Sequence, residues 1–300
     1  MIRAAVLAVT ERSATKKIVA ETSAGRAVAR RFVAGDSLAE AVKVAKELNG
    51  LGMKVSLDHL GEHVSTIEEA SAARDSYLGC LRQIADHHLD ANISIKLTQL
   101  GMGLDDVAAA GYLDEIASAA LETATTVTID MEESEHTQAT IDMYVAAQKE
   151  HGNLGIALQA YLRRTQADLE RVIPLGGHIR LCKGAYAEPA DVAFQGAEVD
   201  EAFDRLGAML MNASGVVPAI ASHDDMRLAR VLVEARDRSE PWEFQMLYGI
   251  RRDRQSELVG MGHEMRVYVP FGEAWYPYLT RRMAERPANL LFFMRALAGK

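Results

Sequence analysis

Four charged residues stand at the ends of short apolar runs, where a buried charge needs either a partner or a function. Lys96, Asp130, Arg180 and Lys183 each follow aliphatic or β-branched residues directly or closely. Burying a charge is costly unless the charge is paired or used. Three of the four residues are cations. Together they therefore indicate an anionic or electron-rich ligand, such as a phosphate, a carboxylate or a reduced flavin ring.

These residues belong to a series of eight short runs rich in Val and Ile, which predict β-strands. The runs cover residues 54–58, 92–97, 126–131, 154–160, 177–183, 216–223, 243–247 and 266–270. Their starts lie 23 to 39 residues apart, a spacing that suits parallel strands joined by helices and is too long for hairpins. Helical patterns occupy residues 67–89, 107–124, 137–151, 187–213, 226–235 and 255–260.

The eight strand–helix units fill residues 54–300, a stretch of 247 residues, and a (β/α)₈ barrel typically takes about 250. The sequence therefore predicts an α/β fold, a closed (β/α)₈ TIM-type barrel, over residues 54–300. Residues 1–53 are expected to form an N-terminal helical extension packed on the barrel, with Ser37 as an N-cap. Active sites of such barrels lie at the carboxyl ends of the strands, so the charged residues should meet at one mouth.

Composition excludes several classes of protein. The counts of 33 Lys and Arg against 42 Asp and Glu give a net charge of −9, which argues against nucleic-acid binding and strong binding to anionic lipid. Two cysteines, Cys80 and Cys182, fit a reducing compartment, and Cys182 is expected in the core. His87, His88 and His136 lack spaced carboxylate partners, so no metal site is predicted. Neither a spanning apolar run nor a signal-peptide pattern is visible, and we expect a cytoplasmic location.

A helical stretch near the C-terminus places Tyr278, Arg281, Arg282 and Glu285 three or four residues apart, so that they share one face. Arginine pairs well with a carboxylate in a bidentate manner. Helical periodicity alone favours a solvated basic turn over a ligand-binding pair. The aromatic residues just before this stretch favour a sheltered pair of arginines that binds a carboxylate.

Six motifs occur in order along the chain: residues 57–62 (LDHLGE), 95–101 (IKLTQLG), 129–132 (IDME), 158–164 (LQAYLRR), 180–186 (RLCKGAY) and 278–285 (YLTRRMAE). In this order they resemble the proline dehydrogenase family, the FAD-dependent barrel enzymes of proline catabolism. The resemblance runs from about residue 31 to the C-terminus, and the compact length is similar to the monofunctional bacterial form. It implies oxidation of L-proline to Δ1-pyrroline-5-carboxylate by hydride transfer to FAD. It also implies a quinone acceptor and peripheral contact with the inner face of the membrane.

The resemblance also implies cofactor-binding roles for individual residues. Gln159 matches the glutamine that hydrogen-bonds the isoalloxazine ring, and Arg180 matches the arginine near the flavin N5 edge. The other positions that match cofactor contacts are Met131, Lys183, Gly184, Ala185, Ser222 and His223. Asp224 departs from the family, which often has an amide there, and an acid near the cofactor phosphates is expected to weaken or reorient that contact.

Around the substrate, Arg281 and Arg282 match the pair of arginines that holds the proline carboxylate. Lys96 matches a lysine near substrate and flavin, and Asp130 matches a neighbouring active-site acid. The remaining positions carried over are Tyr268 and Tyr278 around proline and Glu62, a gate that can pair with the first arginine.

Two other functions stay open at this point. A Schiff-base lyase on the same fold would use Lys96 or Lys183 as its nucleophile, and it would be a colourless protein that borohydride traps with a carbonyl substrate. A non-catalytic proline sensor would keep Arg281 and Arg282 but need not reduce a flavin. The visible absorbance spectrum, recorded with and without proline, separates the three functions.

Overall fold

The computed structural model describes residues 29–285, with side chains through residue 280. Eight parallel strands form one closed barrel in chain order, and the last strand pairs with the first. The strands are β1 (Lys54–His59), β2 (Ala91–Ile95), β3 (Val127–Ile129), β4 (Leu154–Gln159), β5 (Gly177–Cys182), β6 (Val216–Ala221), β7 (Glu243–Leu247) and β8 (Met265–Phe271). The predicted (β/α)₈ barrel is confirmed, and each predicted strand lies within two residues of its observed bounds.

A helix follows each strand, and most of these helices contact strands of the barrel. The helices are α1 (Leu38–Gly50), α2 (Ile67–Asp86), α3 (Asp106–Glu122), α4 (Thr137–His151), α5 (Thr165–Val172), α6 (Ala197–Met211), α7 (Asp225–Glu234), α8 (Arg252–Gly260) and α9 (Trp275–Glu285). Helix α1 precedes the barrel and contacts β1 and β8. It begins after Ser37, whose side chain forms a capping box with Glu40. A domain boundary at residue 53 stays a prediction. Within residues 29–285, no helix is both long and apolar enough to span a membrane.

The barrel is covered by helices outside and filled with side chains inside, so its strands are buried on both faces. Every residue of β2 and of β4 is buried. The interior is partly polar. Ser56 donates a hydrogen bond to Asn92 at 2.5 Å, and Asn92 donates to Thr128 at 3.1 Å. These buried polar groups therefore satisfy one another's hydrogen bonds inside the barrel.

The predicted helices differ from the structure in two places. The helical pattern over residues 187–213 forms a helix only from Ala197 onward. Pro189 disfavours helical backbone at the residue before it, and Gly196 has a positive φ of 57°, so the preceding segment forms turns. The short helix α5 was not predicted. It spans eight residues, and its apolar face consists mainly of Leu169 and Val172, too few positions for a clear helical period.

The strand ends place the charged residues predicted from sequence at one mouth. Lys96 directly follows β2, Asp130 follows β3 and Lys183 follows β5. Arg180 lies inside β5, two residues before the strand ends, and its side chain is buried. The barrel therefore positions one or more charged side chains at the ends of three strands.

Candidate active site

A cavity of about 660 Å³ opens at the mouth formed by the carboxyl ends of the strands. This volume lies within the range of roughly 300–1,000 Å³ that is typical of small-molecule sites. The residues predicted from sequence that line the cavity are Lys96, Asp130, Met131, Gln159, Arg180, Lys183, Gly184, Ala185, Ser222, His223, Tyr268 and Tyr278. The fold brings these positions to one site, and their individual roles stay predictions.

Asp130 is a shared hydrogen-bond acceptor at the base of the cavity. Its Oδ1 accepts from Ser94 Oγ at 2.7 Å and from Arg180 Nη1. Its Oδ2 accepts from Tyr268 Oη at 2.6 Å and lies 3.4 Å from Lys96 Nζ. Burial by itself would raise the pKa of this carboxyl, but Arg180 and Lys96 outweigh burial and hold the pKa below its usual value. Asp130 is therefore ionised and stabilises two buried cations.

Lys96 is held as an ammonium. Its Nζ donates to Asp58 Oδ1 at 2.8 Å. Burial favours a lower pKa for Lys96, but the charge of Asp58, with support from Tyr268 and Asp130, raises the pKa well above its usual value. Burial and Asp130 also raise the pKa of the Tyr268 phenol well above its usual value. Lys96 is thus charged and Tyr268 is neutral at ordinary pH.

Among the described residues, one guanidinium nitrogen of Arg180 has no hydrogen-bond partner. Its Nε donates to Gln245 Oε1 at 2.5 Å, its Nη1 donates to Ser94 Oγ at 3.2 Å, and its Cζ lies 5.1 Å from the centre of the Tyr268 ring. Its Nη2 is shielded from solvent and has no acceptor in the described part of the chain. An unsatisfied buried donor costs about 1–3 kcal/mol, and an acceptor on a ligand in the cavity would offset that cost.

Gln159 forms hydrogen bonds to two loops at the mouth of the barrel. Its Nε2 donates to the carbonyl of Glu132 at 2.9 Å, and its Oε1 accepts from the backbone N–H of Ala185 at 3.0 Å. Gly184, just before Ala185, has a positive φ of 132°, and a Cβ there would collide with the ring of Tyr161. Only glycine lets this segment lie so close to the ring, so the backbone of residues 183–185 is fixed along the cavity wall.

Lys183 is flanked by two carboxylates. Its Nζ lies 2.8 Å from Asp224 Oδ2 and also contacts Asp200. Burial opposes the charge of Lys183, but the hydrogen bonds and charges of Asp200 and Asp224 raise its pKa. Asp224 additionally caps helix α7 by accepting from the N–H of Met226 at 3.0 Å. The cation of Lys183 is therefore already neutralised by side chains of this chain.

His223 lies between β6 and β7. Its Nε2 accepts from the N–H of Leu247 at 3.0 Å, so its ring carries a proton on Nδ1 when neutral. Its carbonyl accepts from Arg251 Nη1 at 3.0 Å. Arg251 has left-handed backbone, with a φ of 52°, which is uncommon for a residue other than glycine. This contact holds the Arg251 side chain at the edge of the cavity, which it also lines.

The arginine pair predicted to bind the substrate carboxylate belongs to helix α9. Helix α9 brings Tyr278 to the cavity, where Tyr278 is buried. Arg281 and Arg282 belong to the same helix, but their side chains lie outside the described residues, so their contact with a carboxylate stays a prediction. Glu62 is half-buried in the loop after β1 and does not line the cavity wall. Its role as a gate likewise stays a prediction.

Several residues that complete the site received no role from the sequence: Asp58, Ser94, Asp200, Gln245 and Arg251. Asp58 and Gln245 carried a signal, because both are polar residues near the ends of predicted strands. Nothing in the sequence marked the other three, since their contacts join elements that are distant along the chain. The expectation that Cys182 lies in the core was wrong. It is the last residue of β5, is half-buried and lines the cavity, because the strand ends there.

Two groups of side chains within the described residues bring carboxylate and imidazole atoms to within 4.8 Å of one another. They are His63, Glu132 and Glu133, and Asp114, Glu150 and His151. In the first group only Glu132 is fully buried; burial raises its carboxyl pKa despite a hydrogen bond from Thr98. The expectation that the protein holds no metal is untested and stays a prediction.

Fold and site together define the class of this protein. A (β/α)₈ barrel with buried cations and an unsatisfied guanidinium donor at its mouth is an enzyme scaffold for an anionic or electron-rich ligand. The family model described as "Proline dehydrogenase" matches residues 41–295 of the chain. The chain belongs to the proline dehydrogenase family and is therefore an oxidoreductase.

Several known proteins are similar to this chain over most of its length. Proline dehydrogenase 1 of Bacillus subtilis (strain 168) is 40% identical over 275 residues, which cover 91% of each chain. Proline dehydrogenase of Deinococcus radiodurans is 32% identical, over 99% of this chain and 98% of that protein. The structure of proline utilization A (PutA) from Bdellovibrio bacteriovorus, inactivated by N-propargylglycine, superimposes with a TM-score of 0.80 at 26% identity. That match covers 86% of this chain and 32% of the PutA chain.

Proposed function

We propose that this protein oxidises L-proline to Δ1-pyrroline-5-carboxylate, the first step of proline catabolism, with FAD bound at the mouth of the barrel. The observation that carries the proposal is the buried guanidinium of Arg180. Arg180 lines the cavity, and among the described residues its Nη2 donor has no acceptor, in a chain of the proline dehydrogenase family. Reduced flavin carries negative charge, and a cation at its edge stabilises that charge.

The residues at the mouth fit FAD. Arg180 offers an unpaired donor, and Gln159 and Ala185 hold a fixed amide network where the ring is expected to lie. Gly184 keeps the segment next to them free of a side chain. The backbone N–H groups at the N-terminus of α7 offer donors for the phosphates, whereas Lys183 would be available to them only on leaving Asp200 or Asp224. FAD, when bound, supplies the acceptor for a hydride from the δ-carbon of proline.

The remaining chemistry falls to side chains that orient the substrate and set its surroundings. Asp130 accepts four hydrogen bonds and is ionised by two cations, so it is a poor base. It holds Lys96 and Arg180 in position. Tyr268 donates its hydroxyl proton to Asp130, which fixes its ring so that a face can pack against the apolar part of proline. Hydride loss from the neutral amine of proline gives the protonated imine directly, so this step needs no side chain to accept a proton.

The Schiff-base alternative is disfavoured by the two lysines. A lysine nucleophile must be neutral, and enzymes achieve this by lowering its pKa. Carboxylates instead raise the pKa of Lys96 and of Lys183.

The proposed acceptor for the electrons is a quinone. Quinones are lipid-soluble, so we further infer a cytoplasmic protein with peripheral contact at the inner face of the membrane. The net charge of −9 speaks against nucleic acid as a partner.

The visible spectrum of the purified protein tests this function. We expect a yellow protein that releases FAD on denaturation, as identified by mass, and that bleaches when L-proline is added without oxygen. A protein that stays colourless after incubation with FAD would contradict the flavin assignment. A yellow protein that proline does not bleach would instead support the sensor.

Arg281→Met is expected to raise KM for proline at least tenfold, because a charge-assisted hydrogen bond to a carboxylate is worth about 1.5–3 kcal/mol. The measurement is the rate of flavin reduction against proline concentration. Pyrrolidine, which has the ring but no carboxylate, is the control, and its weak reaction should be unchanged by the substitution. A change in KM of less than about threefold, or roughly 0.7 kcal/mol, would contradict the assignment of Arg281 to the carboxylate.

Asp224→Asn is expected to tighten FAD binding about two- to fivefold, because exposed ion pairs contribute about 0.2–1 kcal/mol. The substitution releases Lys183 from one of its two carboxylates and retains a helix cap, since asparagine also caps well. The measurement is a titration of FAD into cofactor-stripped protein, followed by flavin fluorescence. Asp105→Asn, at the cap of helix α3 and away from the cavity, is the matched control. Equal or weaker FAD binding by Asp224→Asn would contradict this account.

A further inference from the structure

A buried glutamine, which also lines the cavity, connects Arg180 to a buried carboxylate. Arg180 Nε donates to Gln245 Oε1 at 2.5 Å, and Gln245 Nε2 donates to Glu243 Oε1 at 2.7 Å. Gln245 and Glu243 are each 3% exposed. We propose that Gln245 is a positioning residue that fixes the guanidinium of Arg180 and thereby sets the redox potential of the cofactor. This inference rests on the proposed function.

The orientation of the Gln245 amide has one chemical solution. Glu243 Oε1 accepts from Gln245, from Arg266 Nε at 2.7 Å and from His178 Nε2 at 2.9 Å. Burial alone would raise the pKa of Glu243, but Arg266 and His178 hold it far below its usual value, so Glu243 is ionised. An ionised carboxylate only accepts hydrogen bonds. The NH₂ group of Gln245 must therefore face Glu243, and its carbonyl oxygen must face Arg180.

The strand geometry makes this arrangement rigid. Glu243 and Gln245 are two residues apart on β7, so both side chains point to the same side of the strand, here the barrel interior. Arg180 reaches them from β5, across β6. Its guanidinium is held at one edge by Gln245 and at another by Asp130 and Ser94. A planar group held at two edges cannot rotate, and Nη2 is left as the donor that has no acceptor in the described part of the chain.

Other side chains of similar size cannot do the same. Methionine fills the volume of glutamine but offers Arg180 no strong acceptor. Asparagine is one methylene shorter, so it cannot reach Arg180 and Glu243 at the same time. In either variant Nε of Arg180 loses its acceptor while Asp130 still holds Nη1. The guanidinium can then rotate about that remaining contact, away from the cofactor edge.

The test uses FAD-loaded protein carrying Gln245→Met. We expect flavin reduction by proline in a single turnover to slow about tenfold and the two-electron midpoint potential of the bound flavin to fall by about 30 mV, the equivalent of a tenfold change in equilibrium. The potential falls because a misplaced cation stabilises reduced flavin less. KM for proline should stay within threefold of the parent value, because the carboxylate is predicted to bind Arg281 and Arg282 and not Gln245. Should Gln245→Met fail to fold, Gln245→Asn serves for the same measurements with the same expected directions.

Gln148→Met is the matched control, because Gln148 is also a buried glutamine, 4% exposed. It accepts from the N–H of Leu154, at the first residue of β4 and hence at the opposite end of the barrel. We expect this variant to lower the melting temperature and leave the flavin potential unchanged. If the Gln245 variants lose stability but keep the potential within 10 mV and the rate within twofold, Gln245 is merely structural and the inference is overturned. In that case the parent protein still bleaches with proline. A parent protein that does not bleach would overturn the proposed function, and the inference with it.

Discussion

Asp130→Asn is expected to lower the free energy of unfolding by about 3–5 kcal/mol, the usual effect of removing one partner from a buried ion pair. The carboxylate of Asp130 accepts from Arg180 and lies 3.4 Å from Lys96 Nζ. An amide of the same shape leaves these two cations close together with only Asp58 to balance them. Urea denaturation at neutral pH, with equal slopes for both proteins, measures the difference.

This difference in the free energy of unfolding should become smaller as the pH falls. The pKa of Asp130 is lower in the folded protein than its usual value of 3.8. A carboxyl of this kind stabilises the fold above its unfolded pKa and loses that contribution as pH falls through the folded pKa. The gap between parent and Asp130→Asn should therefore be constant from about pH 5 to pH 8 and shrink below about pH 4. A gap that widens on acidification would contradict the role of Asp130 as the ionised acceptor.

Asp168→Asn provides the matched control for Asp130→Asn. Asp168 is also a buried aspartate paired with an arginine, but its partner Arg164 is on the same helical turn and its side chain is 35% exposed. Pairs of this kind contribute at most about 1 kcal/mol. If Asp130→Asn lost no more stability than Asp168→Asn, the four hydrogen bonds to Asp130 would not be stabilising the barrel mouth.

The barrel could be predicted because its signals are local. Each strand is a short run of β-branched and aliphatic residues, and the intervals between runs exclude hairpins. Where the prediction went wrong, the local signal was ambiguous. Residues 187–196 have helix-forming composition, yet Pro189 and the positive φ of Gly196 end regular structure there. The eight residues of α5 are too few for a clear period.

The candidate site was predictable as a set of positions and much less as a set of contacts. Strand ends meet at one mouth in any barrel, so Lys96, Asp130 and Arg180 could be grouped from their places along the chain. Which side chain pairs with which depends on rotamers and on distances across the barrel. Neither the contact of Lys183 with Asp200 on α6 nor the link from Arg180 to Gln245 across β6 follows from sequence spacing.

Arg180→Met is expected to slow flavin reduction by proline about 100- to 1,000-fold at saturating substrate. This is the usual effect of removing one hydrogen-bond donor that stabilises the charge developing in a transition state. Arg180 is 6% exposed, so water screens its charge little. Its loss also removes the cation above the Tyr268 ring and one of the donors to Asp130. Stopped-flow absorbance of the FAD-loaded variant, mixed with proline in the absence of oxygen, measures the rate.

Arg180→Lys and Arg238→Met complete this test. Lysine keeps the positive charge but cannot donate to Gln245 and Asp130 at the same time. The rate of flavin reduction of Arg180→Lys should therefore lie between those of the parent protein and Arg180→Met. Arg238 is similarly buried, with a side chain 5% exposed, but it binds backbone carbonyls just before and at the first residue of β6, at the opposite end of the barrel. Arg238→Met should destabilise the fold and leave the single-turnover rate unchanged. If Arg180→Met reduced its flavin as fast as Arg238→Met, the buried guanidinium would have no part in hydride transfer, and its unsatisfied Nη2 would need another explanation.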